Sequence, residues 1–454
     1  ADPGFSPANP VNITIWTYYN GEQLEAFNAL VDEFNSTVGK EQGITVESSS
    51  HGSVTDLENN VLASAEGKVG AEAMPNIFSA YADTAYALDE MGQIADLSDY
   101  LSEEDRAAFI EDYLSEGDFS GSGSIKIFPV AKSAELLFLN ETDWEPFAPT
   151  GATYDDLATI EGLVSVAERY YEWTDAQTPD IPNDGRAFFG RDAMANYMLI
   201  GAKQLGCTIF DAQDGCMTLN FDHDAVRTLW DNYYVPFIKG YFSASGRFRS
   251  DDVKTGNIIA YVGSSSSATF FPTQVIADDM DSHDITRKAL ESPKFANGED
   301  YAVQQGAGMV VTKASDAEIQ ASLVFLKWFT SPEHNITFSV DSGYLPVTHE
   351  GNSIDAIRIS GLALSDEMDE VLSAAVDTVN ENHLYTPRAF SGGTNARAIL
   401  EYSMSDKASA DRAAVKEAMA QGQSFEDASA QFLSDECFEA WYQDTLASLE
   451  AFQG

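Results

Sequence analysis

The segment Val11-Asn12-Ile13-Thr14-Ile15-Trp16 alternates apolar and polar side chains, the pattern of a strand with one buried face. After a short polar loop, apolar residues recur at helical spacing from Leu24 to Phe34. Further along, strand-like segments at 44–50 and 75–79 alternate with a helical segment at 54–65, and two more strands are predicted at 125–129 and 136–140. This alternation predicts an α/β fold in which helices cover both faces of a mainly parallel sheet.

Length and composition limit the possible functions. With 454 residues the chain exceeds what one hydrophobic core usually supports, so we expect two domains. The sequence holds 73 acidic and 25 basic residues, a formal net charge of −48, spread along the chain. We therefore do not expect nucleic acid as a partner, because its phosphates would be repelled. The sequence contains no run of about 20 apolar residues that could span a bilayer.

The loops after three predicted strands are candidate binding positions. In open α/β sheets, ligands bind beyond the carboxyl ends of the strands. This rule points to the loops that contain Tyr18, Ser53 and Asp83, and we predict ligand contacts there. Taken singly, an aromatic residue such as Tyr18 is more often a packing residue than a ligand contact.

The cysteines leave two possibilities open. Cys207 and Cys216 flank a segment that is typical of a hairpin turn, and this turn could bring the two sulfurs across the strands. The pair is then either a disulfide, which would suit an oxidising compartment, or two free thiols. Cys437 lies in a helical pattern and is expected to be a structural thiol. No zinc-binding spacing is present, and we expect no cofactor.

An enzyme is the main alternative to a binding protein. A secreted acidic protein could be a glycosidase that uses two carboxylates, but in this sequence carboxylate pairs are too common to be informative. The sequence has no Gly-x-Ser-x-Gly elbow, no helical histidine pair, and no phosphate-binding or dinucleotide-binding glycine motif. The sequence therefore carries no recognisable catalytic signature, and a binding protein, either a transporter component or a sensor, stays open beside the enzyme.

Several fragments resemble the extracellular solute-binding proteins of ABC importers, specifically the large-lobed group that takes up sugars and glycerol phosphate. The fragments occur in family order from about residue 11 to residue 350. They are Ile13-Thr14-Ile15-Trp16, Leu30 to Asn35, Pro75-Asn76-Ile77, Leu136 to Asn140, Thr153 to Leu157, Gly206 to Asn220, Gly256 to Val262, Gly306 to Val311, Ala321 to Trp328 with Ser331-Pro332-Glu333, and Ser342 to Val347.

The resemblance implies a periplasmic-binding-protein fold in which two lobes enclose a ligand cleft. Three chain crossings are expected near Ala131, Gln305 and Val347. The N-lobe would then comprise residues 7–131 and 306–347, and the C-lobe residues 132–305 and 348–454. A ligand would favour closure through the extra contacts it makes in the closed form. The resemblance also implies an extracytoplasmic monomer, either periplasmic or lipid-anchored, that delivers its solute to ABC permease subunits.

Within this group the glycerol-3-phosphate-binding branch is the most similar, and its contacts carry over residue by residue. Its hinge serine falls on Lys132 or Ser133, and its glycine before the hinge strand falls on Gln305 or Gly306. The remaining carried-over positions are Ser265 and Ser266 in the serine run, Tyr344, and Arg388.

Three positions depart from that branch. The glutamate that usually holds the polyol is replaced by Ala82 beside Asp83, and the tyrosine after the second strand falls near Ser53. The tryptophan-bearing loop of the second lobe contains Arg191 instead. The predicted ligand is glycerol-3-phosphate, its diester or a related phosphorylated polyol, because Lys132, Arg191 and Arg388 could supply charge-assisted donors. A neutral mono- or oligosaccharide held by carboxylates and tyrosines such as Tyr18, Tyr81 and Tyr344 stays open.

Overall fold

The computed structural model describes residues 2–454. The strands are β1 Val11–Thr17, β2 Ile44–Ser50, β3 Ile77–Ala80, β4 Glu135–Asn140, β5 Phe189–Arg191, β6 Phe210–Gln213, β7 Cys216–Leu219, β8 Ala260–Ser264, β9 Gln274–Val275, β10 His283–Asp284, β11 Arg287–Glu291, β12 Tyr301–Val303, β13 Gly308–Val311 and β14 His383–Tyr385. The helices are α1 Gly21–Ser36, α2 Val38–Gln42, α3 Val54–Ala65, α4 Ala82–Glu90, α5 Glu103–Ala108, α6 Glu111–Ser115, α7 Glu141–Trp144, α8 Ile160–Asp175, α9 Met194–Gln204, α10 His223–Asp231, α11 Tyr234–Ile238, α12 Arg249–Lys254, α13 Asp316–Thr330, α14 Pro332–Ser342, α15 Ile354–Arg358, α16 Asp366–Glu381, α17 Gly393–Ala420, α18 Phe425–Ser429 and α19 Asp435–Glu450. Four short 3-10 helices cover Ser98–Tyr100, Ala148–Thr150, Tyr154–Ala158 and Ser265–Phe270.

The first sheet contains the alternating segment at 11–16 as part of strand β1. Its strand order is β13-β3-β1-β2, with β1 parallel to both β2 and β3 and with β13 antiparallel to β3. The apolar side chains of β1, Ile13 and Ile15, are fully buried. The helical spacing in α1 likewise directs Phe27, Leu30 and Phe34 into the same core. The predicted strand and helix are therefore confirmed.

The second sheet has the order β11-β4-β8-β5 and is also mixed. The pairs β11–β4 and β4–β8 are antiparallel, while β5 runs parallel to β8. Helices α8, α9 and α17 contribute side chains to a separate and larger apolar core on this side. Two mixed sheets, each flanked by helices over its own core, confirm the predicted α/β fold class.

Three chain segments cross side by side between these two parts. The backbone N–H of Lys132 donates to the Leu345 carbonyl at 3.1 Å, and the N–H of Ser133 donates to the Gln305 carbonyl at 3.0 Å. The two contacts are isolated antiparallel bridges rather than parts of a sheet. These two hydrogen bonds join residues that lie no more than two positions from the crossings predicted near residues 131, 305 and 347. The lobe boundaries drawn from them stay a prediction.

Two sequence expectations need correction. Residues 125–129 do not form a strand, because the only ladder contact there is a single bridge between Phe128 and Met309. The Cys207–Cys216 disulfide is also absent, since all three cysteines are free. The hairpin register pairs Gln213 with Cys216 beside the turn, whereas Cys207 precedes β6, so the sulfurs lie at opposite ends of the hairpin. The Cys207 thiol instead donates to the Asn220 carbonyl.

Within residues 2–454, no helix is both long enough and apolar enough to cross a membrane.

Substitution of Gly306 by alanine should weaken the crossings. Gly306 has φ +106°, and an added methyl would lie 2.9 Å from the Ala131 carbonyl oxygen and 3.0 Å from the Lys132 Cα. The left-handed backbone alone costs about 1–3 kcal/mol for a residue with a side chain. Gly361→Ala is the matched control, because Gly361 has φ +80° with open space around it. Denaturant unfolding should show a larger loss of stability for Gly306→Ala than for Gly361→Ala. Equal losses would contradict the predicted clash of the methyl group with Ala131 and Lys132.

Candidate functional site

A cavity of about 310 Å³ lies beside the crossings, between the two lobes. Its volume is at the lower end of the range of roughly 300–1,000 Å³ typical of small-molecule pockets. Its wall combines polar and charged side chains from both sides of the crossings with apolar surface. The lining residues are Glu58, Tyr81, Ala82, Asp83, Thr84, Glu116, Ala193, Asn196, Leu199, Phe210, Val303, Gln304, Gln305, Thr386, Pro387, Arg388, Phe390, Gly393, Thr394 and Arg397.

The cavity wall is rich in hydrogen-bond acceptors. It contains the carboxylates of Glu58, Asp83 and Glu116. Burial raises the pKa of Glu58, partly offset by a hydrogen bond from the Thr84 side chain. Burial also raises the pKa of Asp83 to about 6, although Arg397 opposes the shift. Glu116 is paired with the ammonium of Lys132.

Gln305 presents an unused acceptor in the same wall. Its Oε1 is buried and has no hydrogen-bond partner within residues 2–454. A buried carbonyl oxygen without a partner costs about 1–3 kcal/mol, so this atom is suited to accept a bond from a ligand. The sequence predicted Gln305 as a contact, and the fold places it in the cavity wall.

Arg397 is a cavity residue that the sequence did not reveal. It lies one turn into α17, and its guanidinium donates to the side-chain oxygen of Asn196, which also lines the cavity. Its charge also lowers the pKa values of Tyr81 and Asp83 against the effect of burial. The only signal in the sequence was its position after the Gly392-Gly393 turn. That position does not indicate which way the side chain points.

Arg388 lines the cavity as predicted, but from an exposed position. Its guanidinium reaches toward the loop of the other lobe, where Nη1 is 3.9 Å from the position of a Cβ on Gly121. Arg388 also lines an adjoining cavity of about 420 Å³. Glu116, Phe210, Gln304 and residues 386–388 are common to both cavities, so the cleft continues past the first cavity.

Lys132, Ser133 and Gly306 hold the crossings together and do not line the cavity. The Lys132 side chain is 1% exposed and donates to Glu116 and to the Gly306 carbonyl, the latter at 2.8 Å. Ser133 is buried and bonds through its backbone. The ammonium of Lys132 is therefore already neutralised. Its predicted role as a phosphate ligand stays a prediction.

Tyr18, Tyr344, Ser265 and Ser266 form a second group, next to the cavity rather than in its wall. The hydroxyls of Tyr18 and Tyr344 are 3.1 Å apart, and the Ser265 hydroxyl accepts from the Ala134 backbone at 3.1 Å. The group spans the lobes, because the Gln23 amide donates to the Ser266 carbonyl at 3.0 Å.

Ser53 and Arg191 are also outside the cavity wall. Ser53 caps α3, with its hydroxyl accepting from the Asp56 N–H at 3.1 Å. Arg191 is buried within the C-lobe, 4.4 Å above the Tyr197 ring. The structure thus brings three predicted contacts, Asp83, Gln305 and Arg388, into one cavity.

A two-lobed α/β fold with a polar cavity at the chain crossings defines the class of solute-binding proteins. A family model described as bacterial extracellular solute-binding protein matches residues 29–357, and the chain belongs to this family. The resemblance seen in the sequence is thereby confirmed. The family consists of transport binding proteins rather than enzymes, and it places the chain outside the cytoplasm as the solute-binding component of an ABC importer.

Solved structures of such proteins match nearly the whole chain. The cyclic α-maltosyl-1,6-maltose-binding protein of Arthrobacter globiformis has a TM-score of 0.68 at 17% identity, covering 97% of this chain and 100% of that one. UgpB of Mycobacterium tuberculosis, solved with glycerophosphocholine, has a TM-score of 0.68 at 16% identity, with coverages of 97% and 98%. An ABC substrate-binding protein of Listeria monocytogenes, solved with cycloalternan, has a TM-score of 0.66 at 15% identity, with coverages of 97% and 99%.

These identities establish a common fold and not a common ligand. A search of curated protein sequences found no significant match.

Glu135 should make the stability of the protein fall as the pH rises toward neutrality. Burial raises its pKa from the usual 4.5 to about 7, against the opposing effects of Arg191 and Asn196. Between these two pH values the folded protein keeps a proton that the unfolded chain has lost, so this group destabilises the fold as the pH rises. Glu135→Gln should remove that contribution, on the order of 1–3 kcal/mol.

The measurement is denaturant unfolding of wild type and Glu135→Gln at several pH values between 4.5 and 8. The stability gain of the variant should grow with pH. Glu22→Gln, at an exposed position on α1, is the control for the loss of one negative charge. A gain that does not change with pH would contradict the prediction.

Proposed function

We propose that the solute is a neutral polyhydroxylated molecule, a carbohydrate of one to a few sugar units. The observation that carries this proposal is the unpaired Oε1 of Gln305, a residue that lines the cavity. Sugar hydroxyls can donate to that oxygen and to the neighbouring carboxylates, whereas a phosphate dianion can only accept.

The electrostatics of the wall also favour a neutral solute. Glu58, Asp83 and Glu116 line the cavity, and the pKa of Asp83 lies near 6 even with Arg397 nearby. Burial is the main cause, and the charges of Glu58 and Glu116 add to it. A dianion placed beside these groups would face like charges in a poorly solvated space. The −48 charge of the whole chain would also slow its approach.

The same wall offers donors and flat apolar surface. Arg397 and Asn196 provide N–H groups that could bond the ring or hydroxyl oxygens of a sugar, and Tyr81 and Phe210 line the cavity with aromatic rings. A few placed polar groups on a largely apolar lining are typical of small-molecule sites. The adjoining cavity past Gln304 gives room for further sugar units.

A phosphodiester such as glycerophosphocholine is the second candidate. Arg388 and Arg397 both line the cavity, and an arginine fork suits a phosphate oxygen pair. The fold match to the glycerophosphocholine-bound UgpB supports keeping this class. A diester, which the sequence also predicted, has one negative charge, so the carboxylates would repel it less than they would repel glycerol-3-phosphate.

The chain would act as a monomer that hands its solute to ABC permease subunits. The single chain holds both walls of the cavity, so no second copy is needed to complete the site. Multi-angle light scattering of the purified protein tests the monomeric state.

Ligand screening by thermal shift tests the ligand class. A ligand that binds only the folded protein raises the melting temperature, by mass action. We expect shifts with neutral mono- or oligosaccharides and none with glycerol-3-phosphate. Calorimetric titration of each positive compound gives the affinity. A shift with glycerophosphocholine alone would select the second candidate, and a shift with glycerol-3-phosphate alone would refute both.

The effect of Arg388→Ala on affinity distinguishes a carbohydrate from a phosphodiester. For a phosphodiester, loss of the charge-assisted contact should weaken binding at least 10-fold, since such bonds contribute about 1.5–3 kcal/mol. For a neutral sugar held deeper in the cleft, the exposed Arg388 should matter little, and the affinity should change less than 3-fold. Arg358→Ala is the control, because Arg358 is an arginine that pairs with Asp369 on the C-lobe surface.

A further inference from the structure

Helix α4 of the N-lobe contacts the C-lobe through two side chains, Asp83 and Tyr86. They are three residues apart and so lie on the same face of the helix. Each of them meets a glycine of the C-lobe, Gly393 for Asp83 and Gly215 for Tyr86. These two contacts join segments that the predicted crossings assign to different lobes.

The Asp83 contact leaves no room for a side chain on Gly393. A methyl added there would lie 2.8 Å from the Asp83 Cγ and closer still to its Oδ1. Gly393 is the first residue of α17, a 28-residue helix, and the carboxylate lies against this end. The backbone of Phe390 also lowers the pKa of this carboxyl group against the effect of burial. A carboxylate is favourable at a helix N-terminus, where free N–H groups give a partial positive charge.

The Tyr86 contact is equally close. Gly215 occupies the hairpin turn between β6 and β7 with φ +80°, and a methyl there would lie 2.6 Å from the Tyr86 Cζ. The Tyr86 ring packs edge-on against Phe119 of its own lobe at a centroid distance of 5.5 Å, which fixes its direction.

The two glycines belong to one surface of the C-lobe. Gly215 forms a bridge with Phe390, and the Ser391 N–H donates to the Gly215 carbonyl at 3.0 Å. The hairpin turn and the start of α17 therefore move together.

We propose that this surface is a closure latch, in which Asp83 and Tyr86 are positioning residues that set how tightly the lobes close. The latch is defined by Asp83, Tyr86, Gly215 and Gly393. Because apparent affinity scales with the fraction of molecules in the closed form, the latch tunes affinity through the contact between the lobes, separately from the contact that Asp83 can make with the solute in the cavity wall. This role goes beyond the choice of solute and does not depend on which solute binds.

The test adds a methyl group at Gly393 and then removes the Asp83 carboxylate that this methyl would contact. Gly393 lies in a helix without a positive φ, where alanine is favoured by about 1 kcal/mol, so Gly393→Ala should fold. We compare wild type, Gly393→Ala, Asp83→Ala and the double variant by small-angle X-ray scattering without any solute. Thermal unfolding of each variant checks its folding.

Gly393→Ala should increase the radius of gyration, because the methyl and the Asp83 carboxylate cannot both occupy the contact. The double variant should return toward the wild-type value, since the carboxylate is gone. This non-additivity is the signature of a direct contact. Identical scattering from all four proteins would overturn the latch, as would an expansion that persists in the double variant. Neither result bears on the ligand screen, which tests the carbohydrate proposal separately.

Discussion

The ammonium of Lys132 is buried where the chain crosses between the lobes, and the arrangement around it depends on neutralising that charge. An unpaired buried ammonium is strongly destabilising. Its two acceptors come from separate stretches of chain, the Glu116 carboxylate and the Gly306 carbonyl. The latter is held within a left-handed turn that only glycine adopts readily. Through these contacts one charge fixes two segments that adjoin the cavity.

This constraint shapes the site. Glu116, held by Lys132, and Gln305, next to Gly306, both line the cavity wall. The positive charge is used within the crossings, so the cavity surface itself keeps an excess of acceptors. These acceptors and the acidity of the whole chain are the features on which the proposal of a neutral, hydroxyl-bearing solute rests. The contact of α4 with Gly393, on which the proposed latch rests, is made in the same cavity wall.

Local patterns predicted the elements well. The alternation in β1 and the spacing in α1 were confirmed, because burial of one face is a property of consecutive residues. Segment 125–129 is also rich in apolar residues yet forms only one bridge, between Phe128 and Met309, and the next residue, Pro129, has no N–H to extend the ladder. The hairpin around Gly215 was also predicted, but not its register, and the register keeps the two cysteines apart.

The sequence by itself determined the fold class, the family and three of the cavity residues, Asp83, Gln305 and Arg388. The fold class and the loop position of Asp83 follow from local periodicity, whereas the family, Gln305 and Arg388 follow from the resemblance of ordered fragments to known binding proteins. Only the tertiary structure decided that Lys132 faces Glu116 and that Arg397 reaches Asn196. Residues 16 apart in the first pair and 201 apart in the second must meet in space, and no local pattern encodes that distance. The direction of a charged side chain depends on the partner that it contacts in the folded protein. For this reason the arrangement of charged groups in the cleft could not be predicted from the sequence.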